Sequence, residues 1–382
     1  LPKSKLFETL ALGEVTLRNR IVISPMCQYA AIDGVAQDWH LVHLGRFAQG
    51  GAGAVFVEAT GVSPEGRISH GDMGLWNDEQ ARALARIADF LRAHGAAPAI
   101  QLAHAGRKGS TQRPWHGGGP VGPEDERVRG EGPWTPVAPS AIPFTDGWIV
   151  PHALSAAEIA GLLVAWREAA RRALDAGFDI LEVHAAHGYL LNEFLSPLAN
   201  FRDDAYGGDL AGRMRFPLAV VETVRAVWPK SRPLFVRISA VDGPENGWTL
   251  DDSVAFAREL KARGVDVVDC SSGGVAPVPP PVSGPGYQVP YAERVRREAG
   301  IMTMAVGAIS EPRQAEAILG EGKADLVAVA RQVLADPSWP VRCQHVLEGE
   351  DADYHAWTGQ TSFWLNIREQ GLRRMGVAER DR

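Results

Sequence analysis

Cysteine is scarce in this chain: Cys27, Cys270 and Cys343 are the three present in 382 residues. Three widely spaced thiols exclude a disulfide framework, a paired-cysteine zinc site and the cysteine cluster of an iron–sulfur centre, and they suit a reducing cytoplasm. Positive charge is not in excess. With 39 Lys and Arg against 46 Asp and Glu the net charge is −7, so nucleic acid is not an expected partner. A local basic run, Arg294-Val295-Arg296-Arg297, reads as a solvated helix face. No apolar run approaches the roughly 18 residues of a membrane-spanning helix, and the N-terminal stretch has no signal-peptide core, so no membrane partner is expected. A usable dinucleotide fingerprint is missing too. Gly117-Gly118-Gly119-Pro120-Val121-Gly122 spells GxGxxG, but no strand is read before it, no helix after it, and a proline sits inside it.

What is present is ordinary globular material, 45% hydrophobic and 22% charged, enough for a large core. Short apolar runs at 21–23, 54–58, 97–104, 178–183, 234–238, 265–270, 302–306 and 325–329 read as buried strands. Amphipathic patterns at 38–49, 78–92, 155–176, 210–228, 250–263, 288–299, 311–319 and 332–347 read as helices, with Ser155 an N-cap three residues before Glu158. Eight alternating strand–helix units predict a single α/β domain, a (β/α)8 TIM barrel over residues 1–350; a doubly wound open sheet is the alternative. Residues 1–19 read as a short N-terminal lid. Two Gly- and Pro-rich segments, 105–153 and 273–286, follow strands and so belong over the C-terminal mouth of the barrel. Residues 351–382 form an extra tail, and its Trp357, Phe363 and Trp364 need a surface to bury against, either the barrel wall or a partner subunit.

The chemistry-bearing residues fall at strand ends, where a barrel places its active site. The fourth strand delivers His184-Ala185-Ala186-His187-Gly188-Tyr189: two imidazoles able to donate to one oxygen, and a phenol able to give a proton. Ser24-Pro25-Met26-Cys27 follows the first strand and sets a soft sulfur on a stiff corner. Gln101 and Arg237 are polar residues inside otherwise apolar strands and need partners there. For Gln101 the choices are a neighbouring strand or a pyrimidine-like cofactor edge. For Arg237 they are Glu58 or Glu182, or an anionic cofactor ring. Gly307 and Arg331 stand after strands seven and eight, where phosphate sites form in this architecture. A metal-dependent hydrolase or lyase using His184 and His187 is the competing reading, although no HExxH or carboxylate cluster accompanies the pair.

In sequence order, Ser24-Pro25-Met26-Cys27-Gln28-Tyr29, Val57-Glu58-Ala59-Thr60, Gln101-Leu102-Ala103-His104-Ala105-Gly106-Arg107-Lys108, His184 to Tyr189, Phe235-Val236-Arg237 and Pro285-Gly286-Tyr287-Gln288-Val289 together resemble the Old Yellow Enzyme family of NADH:flavin oxidoreductases, in its thermophilic-like subgroup. The resemblance implies non-covalent FMN lined by Ser24, Pro25, Met26, Cys27, Ala59, Gln101, Arg237, Gly307, Ala330 and Arg331. It implies a ping-pong ene-reductase in which NADPH or NADH reduces the flavin and an activated alkene then takes its place, and no metal is called for. His184 and His187 would hold the carbonyl or nitro oxygen, Tyr189 would protonate the α-carbon while flavin N5 gives hydride to the β-carbon, and Tyr29 and Ile68 would wall the pocket. A homodimer or dimer of dimers is implied as well, with a tail residue entering the neighbouring site. The tail here is longer and differently spaced, so Trp364 and Arg368 are candidates for that role. Two further departures stand out: Ala330 replaces a usual glycine, and residues 109–135 are longer than in short members.

Overall fold

A computed structural model of the chain describes residues 4–278, 283–348 and 354–377. The eight strands expected from the apolar runs all form, as β1 (Ile21–Ile23), β2 (Ala54–Gly61), β3 (Ala97–Ala103), β4 (Ile180–Ala185), β5 (Leu234–Ser239), β6 (Val267–Ser271), β7 (Met302–Ala305) and β8 (Leu326–Val329). They pair in parallel in chain order, and β8 closes on β1 to complete the barrel. Around it run α1 (Asp38–Gln49), α2 (Asp78–Ala93), α3 (Ala156–Asp175), α4 (Leu210–Arg225), α5 (Leu250–Ala262), α6 (Val289–Ala299), α7 (Pro312–Gly320) and α8 (Trp339–Glu348). Local chemistry sets several of their ends. Ser155 caps α3 as expected, its hydroxyl accepting from Glu158 N while Glu158 reaches back to Ser155 N at 2.7 Å. The single helix expected over 332–347 is instead two, Arg331–Ala335 and α8, parted by Asp336-Pro337-Ser338. Pro337 lacks the N–H to continue the first and crowds its last turn.

The N-terminal lid is a hairpin, Leu10–Leu12 with Val15–Leu17. Leu12 and Leu17 pack onto Val22, Phe56, Phe235 and Met304 inside the barrel. The hairpin therefore stoppers the N-terminal end and leaves the opposite end to the loops. The long segment after β3 carries a short helix, Pro123–Arg129, and both strands of a two-stranded pair, Val137–Ala138 with His152–Ala153. That short helix corrects the reading that no helix follows Gly122; no regular strand precedes the glycines. In the tail, His345 of α8 stacks on Tyr354 with ring centroids 5.1 Å apart, and Trp357 packs edge-on against both. Beyond it, helix Gly359–Arg374 buries none of its residues, and Phe363 and Trp364 are 58% and 67% exposed. The boundary at 350/351 lies outside the described residues.

Candidate active site

Strand alternation sorts the barrel interior into layers. Val22, Ala99, Ile180, Phe235 and Val267 belong to the apolar cluster at the lower end. Two residues further along the same strands, on the same side, come Ser24, Gln101, Glu182, Arg237 and Asp269. On β2 a bulge between Val57 and Ala59 resets the alternation, bringing Ala59 level with Gln101. Glu58 then faces His40 of α1, 3.8 Å away. So the partner of Arg237 is neither Glu58 nor Glu182. It is Asp269, its register neighbour on β6, with Nε 3.0 Å from Oδ2 in an ion contact outside hydrogen-bond geometry. Register between adjacent strands decided this. Gln101 donates to Glu182 Oε1 at 2.8 Å, the neighbouring-strand choice. Burial, and then the nearby Asp269 charge, push the Glu182 carboxyl up to about 8.

One step higher sit the two histidines. Their rings are perpendicular with centroids 5.1 Å apart, and the Tyr189 ring stands edge-on to His184 at 5.0 Å. His187 has φ 60°, a left-handed backbone that a side-chain-bearing residue rarely adopts. It is held there by Ser239 Oγ on its N–H at 2.8 Å, Lys108 Nζ on its carbonyl at 2.8 Å, and Ser271 Oγ on its Nε2 at 2.7 Å. Behind it, a Cβ on Gly188 would lie 2.1 Å from Gly274 O, and one on Gly274 would lie 2.6 Å from the His187 backbone, so both positions demand glycine. Burial, followed by the Arg237 charge, holds both imidazoles well below the usual histidine range, so they are neutral at pH 7. Burial likewise raises the Tyr189 phenol well above 10, which keeps its proton on.

Lys108 had no role in the sequence reading, yet it lies under this group. Its ammonium faces the Phe144 ring at 4.4 Å and the Tyr189 ring at 5.5 Å, and burial draws it down to about 8. Ser271, Gln288 and Asp269 were missed as well. Asp269 and Ser271 come into place when β5 and β6 align in register, and Gln288 when the loop before α6 meets Ser271. Cys27 is half-buried, and burial, then Asp72, push its thiol up, so it is a thiol and no nucleophilic thiolate.

The other expected residues line two separate cavities at the mouth. Arg237, Gly307, Ala330 and Arg331 line one cleft of about 580 Å³ with Ser271 and Gln288. Ala59, Ile68 and Tyr189 line a smaller cavity together. Tyr29, at φ 55°, sets its ring edge-on to Trp115 at 5.7 Å, on the loop over the mouth. Ser24 N is tied to Val329 O at 3.0 Å, while its buried hydroxyl has no hydrogen-bond partner among the described residues. That orphan hydroxyl, the Arg237 and Arg331 guanidinium groups, and Gly307 at φ 109° suit a polar, phosphate-bearing ring compound such as FMN. Ala330 sits at φ −120°, outside the left-handed region that favours glycine. Among the described residues, no group of three or more His, Cys, Asp or Glu is arranged to hold a metal ion, so the His pair lacks a ligand set.

The fold and this site define a flavin-dependent oxidoreductase built on a (β/α)8 barrel. Residues 5–350 match the NADH:flavin oxidoreductase / NADH oxidase family. The chain is 46% identical over 340 residues to an NADPH dehydrogenase of Geobacillus sp. (strain WCH70), covering 88% of this chain and 93% of that protein. To an NADPH dehydrogenase of Bacillus cytotoxicus it is 44% identical over 357 residues, covering 93% and 96%. Among solved structures, morphinone reductase superposes with a TM-score of 0.75 at 29% identity, covering 90% of each chain. The chain belongs to this family, the Old Yellow Enzymes.

Proposed function

We propose that the protein is an ene-reductase, which uses NADPH, or NADH, to reduce the C=C bond of α,β-unsaturated carbonyl or nitro compounds. The observation that carries this is the neutral His184–His187 pair beside a protonated Tyr189 at the barrel mouth. FMN, when bound, supplies hydride transfer. Ser24, Pro25, Met26, Cys27, Ala59, Gln101, Arg237, Gly307, Ala330 and Arg331 hold it. The imidazole N–H groups of His184 and His187 hold the substrate oxygen and stabilise the negative charge that grows there as the β-carbon is reduced. Tyr189 gives its proton to the α-carbon and regains one from solvent. Tyr29 and Ile68 wall the pocket, and reductant and alkene occupy it in turn. The NADPH dehydrogenase names of the relatives support NADPH as reductant. The exposed Phe363 and Trp364 support a dimer-based assembly with the tail at the subunit interface. Free Cys27, Cys270 and Cys343 fit a reducing cytoplasm.

The test is anaerobic turnover of the FMN-loaded protein with NADPH and 2-cyclohexenone. The account predicts stoichiometric cyclohexanone. NADPH oxidation that proceeds only with oxygen, leaving the alkene intact, would contradict it.

A further inference from the structure

Ser271 Oγ lies between two nitrogens, His187 Nε2 at 2.7 Å and Gln288 Nε2 at 2.9 Å. Ser271 ends β6, and Gln288 stands just before α6. A hydroxyl has one proton to give, and an amide nitrogen only donates. Ser271 therefore accepts from Gln288 on one lone pair, which leaves its proton available for His187 Nε2. With Nε2 accepting that proton, the proton of His187 sits on Nδ1. His184 is arranged the other way. Its Nδ1 accepts from Ala186 N at 3.2 Å, which leaves its proton on Nε2. Neither His184 Nε2 nor His187 Nδ1 enters any hydrogen bond among the described residues.

We infer that Gln288 and Ser271 are positioning residues: they form a relay that fixes His187 as the Nδ1–H tautomer, so that the pair offers two N–H donors to a substrate oxygen without either ring carrying charge. The inference rests on the proposed ene-reductase reading, in which that oxygen is bound here. Burial keeps both rings neutral, so the tautomer decides whether His187 meets an oxygen with a proton or with a lone pair. Gly307 protects the relay from the phosphate loop, since a Cβ there would lie 2.7 Å from Gln288 Oε1.

The experiment is a long-range ¹H–¹⁵N correlation of the imidazole rings in FMN-loaded protein carrying ¹⁵N-histidine. The His187 signals are assigned by their loss in His187→Ala. Wild type should show His187 protonated at Nδ1. Ser271→Ala removes the donor to Nε2. Gln288→Glu supplies a carboxylate that only accepts, which turns the Ser271 proton away from the ring. Both variants should move His187 toward the Nε2–H form and weaken binding of 4-hydroxybenzaldehyde by about tenfold or more. Ser271→Thr keeps the hydroxyl and should keep the wild-type tautomer. An Nε2–H form in wild type, or an unmoved tautomer in both Ser271→Ala and Gln288→Glu, overturns the inference. A tautomer that moves as expected while phenol affinity stays constant upholds the relay and fails the substrate-holding role of His187, so the two failures are distinct.

Discussion

Tyr189 shows how a single residue's environment sets its task. The half-buried phenol stands edge-on to His184, is faced by the Lys108 ammonium, and is kept protonated across the physiological range. Tyr189→Phe removes the proton and little of the shape. Reduction of the flavin by NADPH needs no acid at this point and should stay near the wild-type rate. Alkene reduction should slow by up to about 10²-fold, less where water substitutes for the phenol. Stopped-flow measurement of the two half-reactions separates these outcomes. Equal slowing of both would assign Tyr189 to binding or structure. Cys27 also keeps its proton: burial, then the Asp72 charge, raise its thiol.

At the scale of elements, the short helix Leu190–Leu195 carries Glu193 beneath the active-site loops. Glu193 Oε1 accepts from Arg107 N at 2.8 Å, and burial pushes its carboxyl up to about 8. The group is thus neutral when folded at pH 7 and ionised when unfolded. The unfolded chain binds fewer protons between about pH 4.5 and 8, so stability is full below that window and falls as pH rises through it. Glu193→Gln keeps the acceptor and has no proton to lose. Its stability relative to wild type should rise between pH 5 and 8, on the order of a few kcal/mol at most, as read by urea unfolding at each pH. A difference independent of pH would show that Glu193 is ionised in the fold.

This scale also separates what the sequence discloses from what it conceals. The strand and helix periods are local, so all eight strands and the Ser155 cap were legible, and the His184–Tyr189 run announced the site. The break at Pro337 is legible as well, since proline lacks the N–H that would carry the first helix on, but the apolar period running across it masks it. The pairing of Arg237 with Asp269, the tie of Gln101 to Glu182 and the Ser271 link to His187 were not legible, because each joins separate strands whose register and bulges are set by closing the barrel.

For the whole molecule, one end of the barrel is stoppered by Leu12 and Leu17 and the other is left to chemistry. The family match ends at residue 350, and on the helix Gly359–Arg374 beyond it Phe363 and Trp364 pack edge-on against each other at 5.1 Å and stay mostly exposed. Deleting residues 353–382 should shift sedimentation toward smaller species while FMN stays bound. An unchanged assembly, or loss of the barrel, would place the tail's role within one subunit. A bound phenol tests whether His184 and His187 together hold one substrate oxygen over the flavin. Titration of 4-hydroxybenzaldehyde into the FMN-loaded protein should raise a long-wavelength charge-transfer band. Either single alanine variant should weaken binding by roughly 1.5–3 kcal/mol, and His184→Ala with His187→Ala should abolish the band while FMN remains bound. An unaltered titration curve in that double variant would contradict the account.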